Sequence, residues 1–196
     1  MISIHEMLKN KLALFRGHYF KLNYIMMKKN VKIGSNFLLA NSLGIKGPGT
    51  IEIGDGCLVS GVLGDKHRYV TLYTHCPEAK IKIGNNARIY GARISSRFAI
   101  TIGVDVLVEH AGIADTDFHN IDRDRNKPPS ECPEKSQIVI GDRAAIGSGS
   151  IVMKGVRIGN DAIILPGSVV TNSIPDLCVA TGNPAKVIYS LPTTVN

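Results

Sequence analysis

The chain is poor in the bulky side chains that fill most globular cores. Its 196 residues include no tryptophan, and aromatic residues make up 6%, although 44% of the residues are hydrophobic. A chain of this length is ample for one core and short for two typical domains. The composition therefore predicts a single narrow interior built from isoleucine, valine and alanine.

Cysteine is also scarce and has no motif spacing. The four cysteines are Cys57, Cys76, Cys132 and Cys178, and no two of them form a CxxC pair. Disulfide frameworks and metal knots rely on characteristic cysteine spacings. We therefore expect ordinary thiols in a reducing compartment.

Long uncharged apolar runs and a signal-peptide core are missing as well, so we expect a cytoplasmic protein. The formal net charge is +7. This charge is compatible with a phosphorylated cofactor or an acidic sugar, and equally with simple solubility.

What the sequence does contain is a six-residue period. Aliphatic residues recur every six positions at Ile140, Ile146, Val152, Ile158, Ile164 and Val170. A second, mostly small series runs in phase with them through Ala144, Ser150, Val156, Ala162, Ser168 and Ile174. Six matches neither the helical period nor simple alternation. Three six-residue sides per turn would stack like on like, about 4.8 Å apart, which predicts a β-solenoid of short parallel strands.

The same rhythm continues upstream with small irregularities. Its pairs are Ile33 and Leu39, Ile53 and Val59, Ile83 and Ile89, and Ile102 and Val108, and a glycine follows the first member of each. Only the stretch Asp115–Gln137 lacks an apolar period. We expect this stretch to be a long loop that leaves the solenoid, as functional loops often do.

The N-terminal segment has a helical period instead. Apolar residues spaced by three and four lie at Ile4, Leu8, Leu12, Phe15, Tyr19, Leu22 and Met26, among several lysines and arginines. This pattern predicts an amphipathic helix. Its apolar stripe would pack on the solenoid end or a neighbouring subunit, or alternatively rest on the inner membrane surface.

Residues 30–190 resemble the hexapeptide-repeat acyltransferases. The likeness is strongest in IGDRAAIGSGSIVMKGVRIGNDAIILPGSVV and in the closing segment GNPAK, Gly182–Lys186, which favours the sugar O-acetyltransferases of the maltose, galactoside and surface-polysaccharide group. The resemblance implies a left-handed parallel β-helix, acetyl-CoA as donor and a homotrimer with active sites between subunits. The expected organisation is a helical segment 1–29, a β-helix domain 30–186 with the loop 115–137, and a tail 187–196.

By the same resemblance, His119 is the general base. It follows the run Ala114–Phe118 where the coil gives way to the loop, and imidazole can take a hydroxyl proton near neutral pH. A carboxylate would orient its ring, and we select Asp117 from the candidates Glu109, Asp115, Asp117 and Asp122. His110 lies near a predicted corner, where a structural role is favoured over a place in the cleft.

The resemblance also implies a donor site that runs along neighbouring coils. Gly147 and Ser148 would contact the thioester end, and Pro166 and Gly167 the pantetheine arm. The phosphates would lie near Thr171, Asn172 and Lys186, with Lys154 or Arg157 as further cations. The sequence departs from several relatives at Ala145, where they carry tryptophan, and at Asn172, where some carry lysine.

The acceptor site is expected to include Tyr90, Arg93, Asp115 and Arg123. The predicted activity is acetyl transfer from acetyl-CoA to a sugar hydroxyl, without a metal and without a nucleic-acid partner. One alternative is N-acetylation of a nucleotide-linked amino sugar. A more distant one is a zinc protein like the γ-class carbonic anhydrases, which would use His75, His110 and His119.

Overall fold

The chain winds into a triangular coil whose three walls are parallel β-sheets. The structure is a computed structural model that describes residues 4–27, 30–61, 69–117, 123, 126 and 132–192. Sheet A contains β1 Val31–Ile33, β4 Thr50–Ile53, β7 Lys80–Ile83, β10 Ala99–Ile102, β13 Ile138–Ile140 and β16 Arg157–Ile158. Sheet C contains β3 Leu43–Lys46, β6 Val70–Thr74, β9 Arg93–Ser96, β12 Gly112–Ala114, β15 Ile151–Val152 and β18 Val169–Val170.

Sheet B continues one strand pair further than the other two walls. It contains β2 Leu38–Leu39, β5 Leu58–Ser60, β8 Arg88–Tyr90, β11 Leu107–Glu109, β14 Ala145–Ile146, β17 Ile163–Ile164, β19 Cys178–Gly182 and β20 Ala185–Ser190. We call the lines where the walls meet edge AB, edge BC and edge CA. Strands β19 and β20 pair antiparallel, while all the other pairs within the described ranges are parallel.

The predicted stacking is observed coil by coil. In sheet A, Ile33 pairs with Ile53, Ile53 with Ile83, Ile83 with Ile102, Ile102 with Ile140, and Ile140 with Ile158. Ile146 pairs with Ile164 and Val152 with Val170. These aliphatic residues fill one continuous buried core. The predicted fold class, a left-handed parallel β-helix with an N-terminal helix, is confirmed.

Glycine follows the sheet A isoleucines because the backbone of the next coil lies very close, and not because the position has a positive φ. A Cβ atom on Gly141 would lie 2.7 Å from the backbone nitrogen of Asn160 and 2.8 Å from the carbonyl carbon of Gly159. The left-handed backbone conformation instead falls two residues later, at Arg143 with φ 56°. Glycine is therefore required here because the next coil leaves no space for a side chain.

Edge AB carries a ladder of aspartate and asparagine side chains. The backbone N–H of Asp142 donates to Oδ1 of Asn160 at 2.9 Å, and that of Asn160 donates to Oδ1 of Asp176 at 2.9 Å. The same bond joins Ser35 to Asp55, Asp55 to Asn85, and Val104 to Asp142. Each side chain satisfies a corner amide of the preceding coil, which the strands themselves leave unpaired.

Helix α1, Ile4–Met27, packs across the first coil and contacts β1 and β2. Its inner face is formed by Ala13, Gly17, Phe20 and Tyr24, and the Phe20 ring lies 6.5 Å from that of Phe37. Gly17 permits this contact, because a Cβ atom there would lie 2.0 Å from the carbonyl oxygen of Phe37.

The apolar stripe predicted to dock is a different face of α1. Its described members are exposed within the chain: Leu8, Leu12, Phe15, Tyr19 and Leu22. The inner-face residues Ala13, Gly17, Phe20 and Tyr24 were not part of the predicted stripe. No helix in the described part of the chain is long and apolar enough to cross a membrane.

The segments after residue 131 close the coil. A short helix α2, Pro133–Ser136, leads into β13, and the N–H of Gly155 donates to the Ser136 carbonyl at 2.9 Å. Strand β20 runs to Ser190, so a paired strand occupies the first residues of the expected tail. The domain boundaries stay a prediction.

Candidate functional site

Polar groups from three successive coils meet on edge BC. His110 has a left-handed backbone, φ 44°, and its N–H donates to the Tyr90 carbonyl at 2.6 Å. The His110 ring turns toward the next coil, where Nδ1 lies 3.0 Å from Oγ of Ser148. The His110 carbonyl accepts a bond from the N–H of Gly149 at 3.3 Å. This arrangement fixes an exposed imidazole beside one of the predicted donor-site residues.

Four of the predicted donor-site residues lie together along this edge. Gly147 leaves no room for a side chain, since a Cβ atom there would lie 2.6 Å from the nitrogen of Pro166. The N–H of Gly167 donates to the Ser148 carbonyl at 2.9 Å. Gly167 itself is exposed, and a Cβ atom on it would meet nothing within 4 Å. The result is an open, backbone-lined strip along two stacked coils.

Two of the three residues predicted to bind the phosphates lie elsewhere. Thr171 and Asn172 follow β18 at edge CA, about 13 Å from Gly167 at the usual rise of a strand. Lys186 is exposed on β20 and pairs with Thr181, whose Oγ1 lies 3.5 Å from Oγ of Ser168, the residue after Gly167. A single chain therefore brings Lys186 near the strip on edge BC, but not Thr171 and Asn172.

Asp115 is buried and ties the coil together at edge CA. Its carboxylate accepts bonds from Oγ of Ser96 at 2.7 Å and from the backbone N–H groups of Arg97 at 2.6 Å and Phe98 at 3.0 Å. These contacts join the residue after β12 to the corner that follows β9. Glu109, another candidate to orient His119, lies at the end of β11 near edge BC, across sheet C from Asp115.

Asp117 is paired with a cation on the following coil. Its carboxylate accepts a hydrogen bond from Nζ of Lys154, and both side chains are partly buried. Lys154, which the sequence suggested as a phosphate ligand, thus contacts the carboxylate selected to orient the base. His119 and Asp122 lie outside the described residues, so their predicted roles stay predictions.

His75 forms a second imidazole site, at the CA end of β6. Its Nε2 lies 2.8 Å from Oγ of Ser95, and its ring meets the Tyr73 ring edge to face at a centroid distance of 4.3 Å. Burial lowers the pKa of His75, and Arg97 lowers it further, while Asp115 acts in the opposite direction. The neutral imidazole is therefore favoured.

The four predicted acceptor residues are spread over the prism. Tyr90 ends β8 in sheet B, Arg93 begins β9 in sheet C, Asp115 lies at edge CA, and Arg123 is exposed. Arg93 lines a cavity of about 600 Å³ on the outer face of sheet C, together with Lys46, Tyr69, Tyr73 and His110. Sequence reasoning missed this cavity because its residues come from four different coils. The strand register would have found it, since outward positions of stacked coils form rows.

Among the described residues, no group of three or more histidine, cysteine, aspartate or glutamate side chains is close enough to hold a metal ion. Of the three histidines suggested for zinc, His75 and His110 lie on different edges of the prism, and His119 is not described.

Comparisons with known proteins agree with the repeat. Residues 137–172 match the family of bacterial transferase hexapeptide proteins, described as six repeats. Over 58 residues, 30% of this chain, the sequence is 41% identical to 2,3,4,5-tetrahydropyridine-2,6-dicarboxylate N-acetyltransferase of Staphylococcus aureus (strain JH9). The match spans 24% of that relative, so it covers about a quarter of its length.

Solved structures share the fold over most of the chain. The polysialic acid O-acetyltransferase OatWY aligns with a TM-score of 0.67 and 22% identity, over 85% of this chain and 76% of that chain. A mutant of AntD, an N-acyltransferase from Bacillus cereus in complex with dTDP and coenzyme A, aligns with a TM-score of 0.54 and 19% identity, over 88% and 90%. Both likenesses are likenesses of fold.

Proposed function

We propose, on the premise that residues 137–172 are bacterial transferase hexapeptide repeats, that this protein is an acetyl-CoA-dependent O-acetyltransferase acting on a sugar hydroxyl. The acceptor belongs to surface polysaccharide biosynthesis. The observation that carries the proposal is the strip on edge BC, where Gly147, Ser148, Pro166 and Gly167 stack on neighbouring coils. The acetyltransferase activity of the relatives named above, and the polysaccharide acceptor of one of them, support the same conclusion.

In this proposal, the pantetheine arm of acetyl-CoA lies along the strip on edge BC. A slender amide-containing chain can bond to exposed backbone groups much as an added strand does, and the glycines let it approach closely. Thr171, Asn172 and Lys186 would contact the phosphates. Because Thr171 and Asn172 lie away from the strip in one chain, their contribution fits best with a donor that spans two subunits.

The proposed reaction is direct transfer in a ternary complex. His119 takes the proton of the acceptor hydroxyl as its oxygen attacks the thioester carbonyl, and Asp117 orients the imidazole. The tetrahedral oxyanion is stabilised by backbone N–H groups. Its collapse breaks the carbon–sulfur bond, and the imidazolium returns the proton to the CoA thiolate. No covalent acetyl-enzyme is required.

The replacement His119→Ala tests this mechanism. We expect acetyl-CoA binding and the thermal unfolding midpoint to be retained, and kcat to fall by about 10²- to 10⁴-fold, the usual contribution of a general base. The control is His18→Ala on the exposed side of α1, which should keep wild-type turnover. Unchanged turnover in His119→Ala, together with a large loss of turnover in His110→Ala, would identify His110 as the general base instead.

Calorimetric titration with acetyl-CoA tests the donor. We expect saturable binding near one per subunit, with free CoA and succinyl-CoA as comparisons that define the acyl group. Absence of binding at millimolar acetyl-CoA would contradict the transferase function.

The second candidate is N-acetylation of a nucleotide-linked amino sugar. It is supported by the likeness to AntD, whose structure holds dTDP and coenzyme A, and by the N-acetyltransferase from Staphylococcus aureus. The two candidates differ in the acceptor atom. Turnover on matched hydroxyl and amine acceptors, with the same donor, distinguishes them.

We further propose a homotrimer on the cytoplasmic side, with active sites between subunits and with α1 resting on the membrane surface. The exposed apolar stripe of α1 supports a contact outside the chain.

A further inference from the structure

A cavity of about 600 Å³ lies on the outer face of sheet C, next to the strip on edge BC. Its volume is in the range of small-molecule sites. The side chains that define it come from four coils: Lys46, Tyr69, Thr71, Tyr73, Arg93 and His110. His110 is shared with edge BC, where its ring contacts Ser148. The cavity therefore opens beside the expected position of the thioester.

The floor of the cavity is a row of outward strand positions. Gly44, Thr71, Arg93 and Gly112 follow one another on β3, β6, β9 and β12. A Cβ atom on Gly44 would lie 3.0 Å from Cε2 of Tyr69, so that ring covers the first coil. A Cβ atom on Gly112 would meet nothing within 4 Å. The space above Gly112 is open, with Arg93 at its side.

The charged side chains described around this space have one sign. The described lining residues include the cations Lys46 and Arg93, and none of them is a carboxylate. The nearby Asp115 is buried and turned toward Ser96 and two backbone N–H groups. Within the described part of the chain, the side chains of Lys46 and Arg93 make no hydrogen bond or ion pair. A guanidinium with unused donors is suited to bind a carboxylate through two parallel bonds.

Two tyrosine rings form the remaining wall. Tyr69 and Tyr73 are partly exposed, and the Tyr73 ring is held in place by its edge-to-face contact with His75. Amphipathic rings of this kind present an apolar surface together with a hydroxyl group. Such a wall fits a sugar ring, which has apolar C–H faces and polar edges.

We propose that this cavity binds an acidic sugar unit of the acceptor, an assignment that rests on the proposed transferase function. Arg93 and Lys46 bind the carboxylate, Tyr69 and Tyr73 contact the ring, and the open floor at Gly112 accommodates the bulk of the unit. The acceptor is thus a carboxylated oligosaccharide rather than a neutral one, and the hydroxyl to be acetylated lies toward His110 and edge BC.

The first test compares Arg93→Gln with Arg88→Gln by calorimetry. The probes are oligomers of sialic acid and of galacturonic acid, with uncharged maltose oligomers as the comparison. Losing a charged hydrogen-bond partner should weaken binding of the acidic oligomers by about 10- to 100-fold. Arg88 is exposed on β8 of the neighbouring wall, so its replacement removes the same charge and should leave binding unchanged.

The second test fills the floor with Gly112→Val. Since a Cβ atom has free space here and valine favours strands, the thermal unfolding midpoint should equal or exceed that of the wild type. Binding of the acidic oligomers should weaken by about tenfold or more, because the branched side chain takes up ligand volume. Acetyl-CoA binding should stay at the wild-type level in both Arg93→Gln and Gly112→Val.

Several outcomes would overturn the assignment. One is equal affinity for acidic and neutral oligomers, and another is no binding of either acidic series. A third is an Arg93→Gln variant that loses acetyl-CoA binding but binds acidic oligomers normally, which would assign the cations to the CoA phosphates. A changed molar mass of Gly112→Val by light scattering, with binding retained, would make the face a subunit contact. Failure of acetyl-CoA to bind the wild type, with acidic oligomers bound at Arg93, would instead reject the transferase function and retain the cavity.

Discussion

At the scale of the residue, the corner of each coil is stabilised by one side-chain oxygen. In the triplets Ile53–Asp55 and Ile158–Asn160, the residue after the glycine accepts a backbone N–H from the coil before it. The backbone N–H of Ser35 is the main reason why the pKa of Asp55 is lowered. The ladder is interrupted at Val104, which occupies the equivalent position after Ile102 and Gly103 and has no oxygen to offer.

Restoring that oxygen should stabilise the fold. In Val104→Asn, Oδ1 can accept the N–H of Asn85, as Asp142 accepts that of Val104. We expect the free energy of unfolding to rise by about 1 kcal/mol, the usual net value of a hydrogen bond. The thermal unfolding midpoint would rise by about 2–4 °C. Val104→Ala lacks the oxygen and should give no such gain; equal midpoints for the two variants would count against the ladder.

His75 should make stability depend on mildly acidic pH. Its pKa is lowered in the folded state by burial, so below the unfolded value of about 6.5 the unfolded chain takes up a proton that the folded chain resists. The stability is complete above that pH and declines as the pH falls toward the lowered pKa. His75→Gln, which can still bond Ser95, should therefore lose less stability between about pH 7 and about pH 5.

Thermal unfolding at several pH values measures this difference. His18→Gln replaces an exposed histidine on α1 and should keep the wild-type pH dependence. The same slope for His75→Gln and the wild type would contradict the prediction and show that Asp115, which acts against burial, cancels its effect on the pKa of His75.

Some contacts of single residues could be predicted from the sequence, and others could not. The isoleucine ladder was predicted in register because an eighteen-residue repeat forces identical residues to stack. The glycines that follow the isoleucines are visible in the sequence, but their requirement is not, since it comes from the distance to the next coil. The contact between His110 and Ser148 could not be predicted, because it depends on a left-handed backbone at a histidine.

At the scale of the element, α1 has two apolar faces, one packed on the coil and one exposed. The inner face reaches the first coil through Phe20 and Tyr24, and the outer stripe stays exposed, with Phe15 at 70% and Tyr19 at 65%. The periodicity predicted one stripe and was right about the helix. It could not identify the docking face, since a small residue such as Gly17 contributes little to an apolar pattern but decides how closely the helix can approach.

The outer stripe should bind anionic membranes. Residues 7–24 include Lys9, Lys11, Arg16 and Lys21 and no acidic residue, a composition suited to a negatively charged surface. We expect the protein to sediment with vesicles containing phosphatidylglycerol and to release in high salt. Tyr19→Ser should weaken this binding, whereas Tyr189→Ser, on an equally exposed tyrosine of β20 at 57%, should not.

Two results would contradict a membrane role for α1. One is a wild-type protein that stays in solution with anionic vesicles. The other is a Tyr19→Ser variant that binds vesicles normally but has a lower molar mass, which would assign the stripe to a neighbouring subunit.

At the scale of the whole molecule, the prism is thin and several apolar side chains remain outside it. Ile151 and Met153 on the sheet C side are partly exposed, next to the end of the cavity wall. We expect a trimer in solution at micromolar concentration, measured by light scattering coupled to gel filtration. Met153→Lys should shift the distribution toward monomer and lower turnover, while Lys82→Glu, on an exposed position of β7 in sheet A, should not. A monomeric, fully active wild type would rule out the intersubunit site.

The whole architecture was predictable because its repeat is written in the sequence, whereas the acceptor site was not. Each isoleucine stacks on the equivalent residue of the next coil. Ile102 and Ile140 pair in this way although the residues between them have no apolar period. The predicted acceptor side chains instead lie on different walls and edges, as Tyr90, Arg93 and Asp115 illustrate. Which of them lie together depends on how the coils stack and turn, and a six-residue period does not encode this.

The closed ends of the coil have a consequence for solubility. A solenoid can in principle grow without limit, because its last turn offers unpaired backbone groups to the first turn of another copy. Here α1 lies over β1 and β2, and the reversed strand β20 occupies the free side of β19. These two segments act as polymerisation stops. A chain truncated before Ala185, or freed of its first 29 residues, should be prone to end-to-end fibre formation.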